Sequence, residues 1–298
     1  MSTTQTYTSF AVIGAGTIGL PILAALATTP NVSVILITRP SKDTKSIPVP
    51  VPVVQVDYNS PQALASIFLA HKVQVVLSTI GPAGSGAQEC FVEAVKLARE
   101  SVKLFVPSEY GFPTDGEKPG EGMLGEKQRI ADVLQEVGIP SARFFTGLFI
   151  EWVPWLFGYD PKNNDGTDKF TIVGTGETPL SLTAIEDIAG FVAYVLTTLP
   201  PSSLQDKVFR IQGDRATPKE IAALFNAPIE YKNGIEGQGE MGEFKNHLFS
   251  VVESGAGSTG WDSKNQRERE GENQAGSANG FWAGHAWRTV SGVYDISI

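Results

Sequence analysis

The chain has 298 residues, of which 42% are apolar and 18% charged, and a net charge of −9 at pH 7. This length can bury the core of one large domain or two joined ones, and the acidity argues against a nucleic-acid surface, which draws on clustered Lys and Arg. Cys90 is the single cysteine, so an internal disulfide and a zinc–cysteine site are excluded, and His71, His247 and His285 are too scattered to suggest a metal.

The start, "MSTTQTYTSF", has no basic residues followed by an apolar run, so no secretory leader is expected. No apolar run approaches the ~20 residues of a membrane span. The cytoplasm is the expected compartment.

In chain order, "SFAVIG" (9–14) predicts a strand and "IGLPILAALAT" (18–28) a helix, with Pro21 early enough to be tolerated. "VSVILITR" (32–39) is a second strand. "VPVVQVDY" (51–58) is a third, entered through a proline-rich connection. Ser60 and Pro61 read as a cap and first turn for the helix "PQALASIFLAH". "VQVVLSTI" (73–80) and "VKLFVPS" (102–108) flank a helix around 86–100, and a helix near 121–137 leads into "PSARFFTG" (140–147). Strands apolar on both faces, alternating with helices, predict an α/β fold with a doubly wound parallel sheet.

The second half is less regular. "KFTIVGTGETPLSLT" predicts a short hairpin, with a helix from about Ile185, then the strand "KVFRIQG" and the helix "TPKEIAALF". Residues 232–280 read as a polar, mobile loop, after which "FWAGHAWRTVSGVY" is expected to pack back on the body. The expected division is a dinucleotide-binding Rossmann domain over 1–147, completed near 183–213, and a smaller α+β substrate domain over 148–298.

"VIGAGTIG" holds Gly14, Gly16 and Gly19 in the spacing G-x-G-x-x-G between a strand and a helix. In that context Gly14 makes the turn, Gly16 lets pyrophosphate approach the backbone, and Gly19 allows close helix packing. Thr17 and Ile18 open the helix, whose free N–H groups favour phosphate. Where an NAD site usually carries Asp or Glu, this chain has Arg39, twenty residues after Gly19, with Lys42 close by. A guanidinium there suits a 2′-phosphate, so NADP(H) is the expected cofactor, the bland alternative being a solvated arginine. Asp57 either bonds adenine or caps a turn. Ser78, Thr79 and Ile80 end the fourth strand, at the sheet edge where ligands bind.

"VPSEYGFPTDGEKPGEGMLGEKQRIAD" carries the catalytic candidates. Four residues before Lys127 stands Met123, not tyrosine, so this lysine has no Tyr-x-x-x-Lys partner. Lys127 could hold the ribose, polarise a carbonyl or pass a proton; an exposed helical lysine is the alternative. Ser108 assists or caps a helix, and Tyr110 assists or packs.

The glycine loop, Arg39, "VVLSTIGP", "VPSEYG", Lys127, "GIPSARFFTGLF" and "GTGETPLSLTAIEDIAGFVAYVL" together resemble the NmrA-like, isoflavone-reductase-like branch of atypical short-chain dehydrogenases, over roughly residues 8–225. The shorter glycine spacing fits fungal members better than plant ones. The resemblance implies that Pro107 to Gly111 and Lys127 act near the nicotinamide, and that Thr146 to Phe149, including Gly147, line cofactor and substrate. Gly147 stands where plant enzymes often carry asparagine, so plant substrate contacts do not transfer.

These residues lead to an NADPH-dependent reductase of an aromatic or conjugated small molecule, in fungal secondary metabolism on the resemblance. Phe149, Trp152, Trp155 and Phe157 form an aromatic-lined pocket or a buried core. The expected state is monomer or homodimer. The alternatives are a non-catalytic NADP(H) sensor acting through a protein partner, and an isomerase or cyclase on the same scaffold.

Overall fold

The computed structural model describes residues 6–43, 47–163 and 166–296. Residues 1–5, part of the stretch in which no secretory leader is expected, lie outside them. The elements run β1 (Ser9–Ile13), α1 (Gly19–Ala27), β2 (Ser33–Thr38), β3 (Val53–Gln55), α2 (Pro61–Ala70), β4 (Val75–Ser78), α3 (Gln88–Leu97) and β5 (Leu104–Val106). Next come α4 (Gly122–Glu136), β6 (Ala142–Phe145), β7 (Leu148–Phe149), α5 (Val153–Phe157), β8 (Phe170–Val173), β9 (Leu180–Thr183) and α6 (Ile185–Thr198). The remainder is β10 (Lys207–Arg210), β11 (Asp214–Ala216), α7 (Pro218–Leu224), β12 (Ile229–Lys232), α8 (Gly239–Glu253), β13 (Trp261–Asp262), β14 (Arg267–Glu268) and α9 (Val290–Tyr294).

Two units emerge from the contacts: residues 1–109, 116–144 and 188–209 form one, and residues 110–115, 145–187 and 210–298 the other. The first contains a parallel sheet of order β3-β2-β1-β4-β5. Strands β1, β2, β4 and β5 are buried on both faces, while the edge strand β3 is only partly so: Ala11, Ile13, Ile35, Ile37, Val76 and Phe105 join a cluster with Leu64, Phe68, Phe91 and Leu134. The alternate residues Phe10, Val12, Leu36, Leu77 and Leu104 are buried as well. Such strands need helices on each side, which is why the chain alternates between the two. Ser60 caps α2 by accepting from the Ala63 N–H at 3.4 Å, with Pro61 opening the helix. In the same unit Phe144 stacks on Phe209 at 5.0 Å and meets Phe191 edge-on.

The second unit holds three small sheets, β11-β9-β7, β12-β8 and β13-β14. Two expectations change here. The hairpin over 170–183 does not form, because β8 pairs in parallel with β12 while β9 lies between β7 and β11. Gly174 and Gly176, at φ +97° and +70°, carry the chain from one sheet to the other. Nor is the polar stretch 232–280 a loop throughout, since α8 occupies 15 of its residues and β13–β14 form a small hairpin. The polar first half of α8 and its two glycines hide the helix from pattern reading, whereas Leu248, Phe249, Val251 and Val252 bury its other half. The tail does pack on its own unit: Tyr294 Oη donates to the Ile150 carbonyl at 3.0 Å, and the Val290 N–H to Asp214 at 2.8 Å. Among the described residues no helix is long and apolar enough to cross a membrane.

Candidate functional site

The three glycines of the first loop do three different things. Gly14 sits at φ +111°, a conformation that side chains resist. A Cβ on Gly19 would lie 2.3 Å from the Gly14 carbonyl oxygen and 2.4 Å from Thr79 Oγ1, so only glycine lets α1 approach. At Gly16 a Cβ would meet nothing within 4 Å, which leaves open space against bare backbone. Thr17 and Ile18 follow at the start of α1, Thr17 exposed and Ile18 buried. Thr79 clamps the loop, its hydroxyl donating to the Ile13 carbonyl at 3.0 Å or that of Gly14 at 3.1 Å. Nearby strand ends carry two buried hydroxyls, Thr38 Oγ1 and Ser78 Oγ, without a hydrogen-bond partner in the protein.

The end of β2 is tied to this loop. The Ile37 carbonyl accepts from the Gly14 N–H at 3.0 Å and from Tyr58 Oη at 3.1 Å. Two residues on, Arg39 is exposed, and its charge acts on the Tyr58 phenol, which burial nonetheless pushes up to about 12. Lys42 is exposed too, and Gln55 Nε2 holds the turn by donating to the Lys42 carbonyl at 2.8 Å. Asp57 accepts from the backbone N–H and side-chain amide of Asn59, at 3.0 and 3.1 Å, which is its turn-capping arrangement. An open glycine cradle, two orphaned hydroxyls and an exposed arginine beyond β2 fit a dinucleotide with a phosphorylated ribose.

On the same unit, Pro107 and Ser108 follow β5. Ser108 donates its hydroxyl to the Ile80 carbonyl at 2.8 Å, and its N–H goes to Gln88 Oε1 at 2.9 Å, so Ser108 joins the ends of β4 and β5 and caps no helix. Lys127, on α4 and half-buried, donates to the main-chain carbonyl of Glu109. The Glu109 side chain turns the other way and pairs with Arg143 on β6, Nε to Oε1 at 2.8 Å, with 1% and 10% of the two side chains exposed. Arg143 also donates to Gln128 Oε1 at 3.1 Å, and Gln128 Nε2 to Asp132 at 2.6 Å. Burial lowers the proton affinity of Lys127 and Arg143 adds to that effect, while Glu109 works against both. Sequence reading marked Glu109 only within the Pro107–Gly111 stretch and passed over Arg143 and the pairing of the two. For Arg143 the signal was there, a guanidinium set between Ala142 and the Phe144–Phe145 pair of an apolar strand.

Tyr110 falls in the second unit, buried, at φ +31°. Gly147 is also there, at φ +68°, where a Cβ would lie 2.2 Å from the Ser181 carbonyl oxygen. The aromatic residues after it form a chain of rings: Phe149 to Trp152 at 5.1 Å, Trp152 to Trp155 at 5.4 Å, and Trp155 to Phe244 at 5.8 Å. Phe157 is not part of this chain; it is fully buried and stacks on Phe170 at 4.5 Å. Phe244 and Lys245 come from α8 and were not anticipated. The Lys245 ammonium lies 5.0 Å from the Trp155 ring, desolvation lowers its proton affinity, and it borders a hollow of about 720 Å³. No group of three or more His, Cys, Asp or Glu suited to a metal ion occurs among the described residues.

The sequence pattern of the NmrA-like family matches residues 7–236. Leucoanthocyanidin reductase of Desmodium uncinatum is 27% identical over 176 residues, 57% of this chain and 45% of that protein. Oxidoreductase BOA1 of Botryotinia fuckeliana (strain B05.10) is 26% identical over 220 residues, 70% of this chain and 71% of that protein. The chain spans about half the length of several curated relatives it matches. Among solved structures, the binary complex of leucoanthocyanidin reductase with NADPH from Vitis vinifera superposes with a TM-score of 0.77 at 20% identity, over 96% of this chain and 98% of that one. That likeness establishes a shared NAD(P)-binding Rossmann-type fold.

Proposed function

We propose that this chain, which belongs to the NmrA-like family, is an NADPH-dependent reductase of an aromatic or conjugated small molecule. The observation that carries the reading is Lys127: a half-buried ammonium of lowered proton affinity, in the same unit as an open glycine cradle. Gly14, Gly16 and the start of α1 would receive the pyrophosphate, and Arg39 with Lys42 the 2′-phosphate. When bound, NADPH supplies a hydride and leaves as NADP⁺. Lys127 would stabilise the anion that the substrate becomes and give it a proton, since an ammonium of lowered proton affinity is the stronger acid near neutral pH. The aromatic character of the substrate rests on relatives named as leucoanthocyanidin reductase and isoflavone reductase homologue. Ser108 is a structural bridge in this scheme, its hydroxyl being given to Ile80. A place in secondary metabolism rests on relatives named as isoflavone-reductase homologues and leucoanthocyanidin reductase.

The test is fluorescence titration with NADPH, NADP⁺ and NADH, for the wild type and Arg39→Ala. NADPH is expected to bind more tightly than NADH, and Arg39→Ala to weaken NADPH alone by about tenfold or more, the scale of a lost charge-assisted hydrogen bond. Equal binding of NADH would sink the phosphate assignment. Binding without NADPH oxidation across a panel of aromatic enones, quinones and benzylic ethers would favour the sensor alternative.

A further inference from the structure

The sequence marks Glu109 only as part of the Pro107–Gly111 stretch and assigns Arg143 no role, yet among the described residues of the first unit they form the most deeply buried ion pair. Its members come from remote places: Glu109 follows β5 and Arg143 lies within β6, 34 residues on. One residue, Glu109, faces both ways. Its carboxylate pairs with Arg143, and its main-chain carbonyl accepts from Lys127. Arg143 in turn reaches Gln128, the neighbour of Lys127 on α4.

We propose that the Glu109–Arg143 pair is the positioning device of the candidate site, holding the Glu109 carbonyl against the Lys127 ammonium and balancing the charge that ammonium feels. The proposal deepens the reductase reading and rests on it for its meaning in catalysis. The geometry makes it two-sided. An anion and a cation act on Lys127 in opposite directions, so losing either one leaves the other uncompensated in a buried place. Of the other charged groups around α4, Arg129 pairs with Glu126 and with Glu89 of α3, Lys118 with Glu121, and Asp132 with Gln128, while Glu136 is exposed at the far end of the helix. On α3, Glu93 pairs with Lys96. A structural buttress would respond to both losses alike, by loosening. A charge-balancing pair responds in opposite directions.

The experiment reads Lys127 without turnover. The purified chain is reductively methylated with isotope-labelled formaldehyde over a series of pH values, and labelling of the Lys127 peptide is followed by mass spectrometry, since only the neutral amine reacts. Glu109→Gln is expected to speed labelling near neutral pH about tenfold and Arg143→Met to slow it about tenfold, the scale on which a close charge moves a neighbour. The double variant should return to near the wild-type rate. Glu109→Asp and Arg143→Lys keep the charges and displace them slightly, and should shift the rate in the same two directions, about threefold. Rates that move the same way in both single variants, or unchanged rates in the Asp and Lys variants with native near-ultraviolet circular dichroism, would overturn the proposal. Opposite shifts in a protein that never oxidises NADPH would leave the pair's role standing and sink the reductase reading instead.

Discussion

In the first unit, strands line up as β3-β2-β1-β4-β5, and all but the edge strand β3 are buried on both faces. In the second, short strands are spread over three small sheets, and single polar side chains tie distant segments together. Asp187 accepts from His285 Nε2 at 2.9 Å and from the Arg288 N–H at 2.7 Å, about a hundred residues away. Arg210, 2% exposed, reaches the Thr259 carbonyl at 2.7 Å and Asp115 at 2.5 Å. Asn279 brackets Gln212, accepting from its N–H and donating to its carbonyl. The contrast teaches that burial can be shared among many residues, whereas a polar tie hangs on one pair. Loss of one apolar contact in the first unit is diluted; loss of one tie in the second is not.

The contrast is broken most severely at Asp115, whose carboxylate serves both Arg210 and Arg269. Asp115→Ala strands a buried guanidinium, and urea unfolding should show a loss of about 3–5 kcal/mol. A loss below about 1 kcal/mol would mean that the Thr259 carbonyl suffices for Arg210 and that the ties are individually weak.

A pair of substitutions in the glycine loop sharpens the comparison from the other side. Gly19→Ala places a Cβ against backbone and Thr79, and should cost about 1–3 kcal/mol while weakening NADPH binding. Gly16→Ala meets open space, so stability should stay within about 0.5 kcal/mol of wild type while NADPH binding falls. Equal stability losses in the two variants would remove the distinction between a packing glycine and a cradle glycine.

The smallest effect expected is a pH dependence. Glu151 accepts from the Ile185 N–H with both oxygens, at 3.0 and 3.1 Å, and burial raises its proton affinity above the ordinary 4.5. The folded state therefore holds this proton more tightly than the unfolded chain. Its contribution to stability is complete below about pH 4.5 and is lost as pH rises through the folded value. Glu151→Gln should flatten that decline in thermal unfolding midpoints between pH 4.5 and 7. An unchanged slope would assign the dependence to other groups.

Much of the first unit could be read from local pattern. Ser60-Pro61 announced α2, the glycine spacing announced the β1–α1 turn, and Arg39 was placed by counting from Gly19. Lys127 could be singled out, but its partner could not, because the partner is a main-chain carbonyl presented by a turn. Thr79 was marked as a strand end at the ligand-binding sheet edge, but its clamp on the glycine loop depends on β1 and β4 being neighbours. In the second unit, α8 was hidden by its polar half, and Phe244 and Lys245 with it.

By itself the sequence determined the alternation of buried strands and helices, the dinucleotide-type loop and the cation beyond the second strand. Each of these is set by residues a few positions apart, where side-chain periodicity and backbone freedom act directly. Only the tertiary structure decided that Glu109 meets Arg143, that β8 takes β12 rather than β9, and that one carboxylate serves Arg210 and Arg269. Those choices join residues tens to more than a hundred and fifty positions apart. They follow from which charges and strand edges are left without water once the cores close, and no local pattern records that.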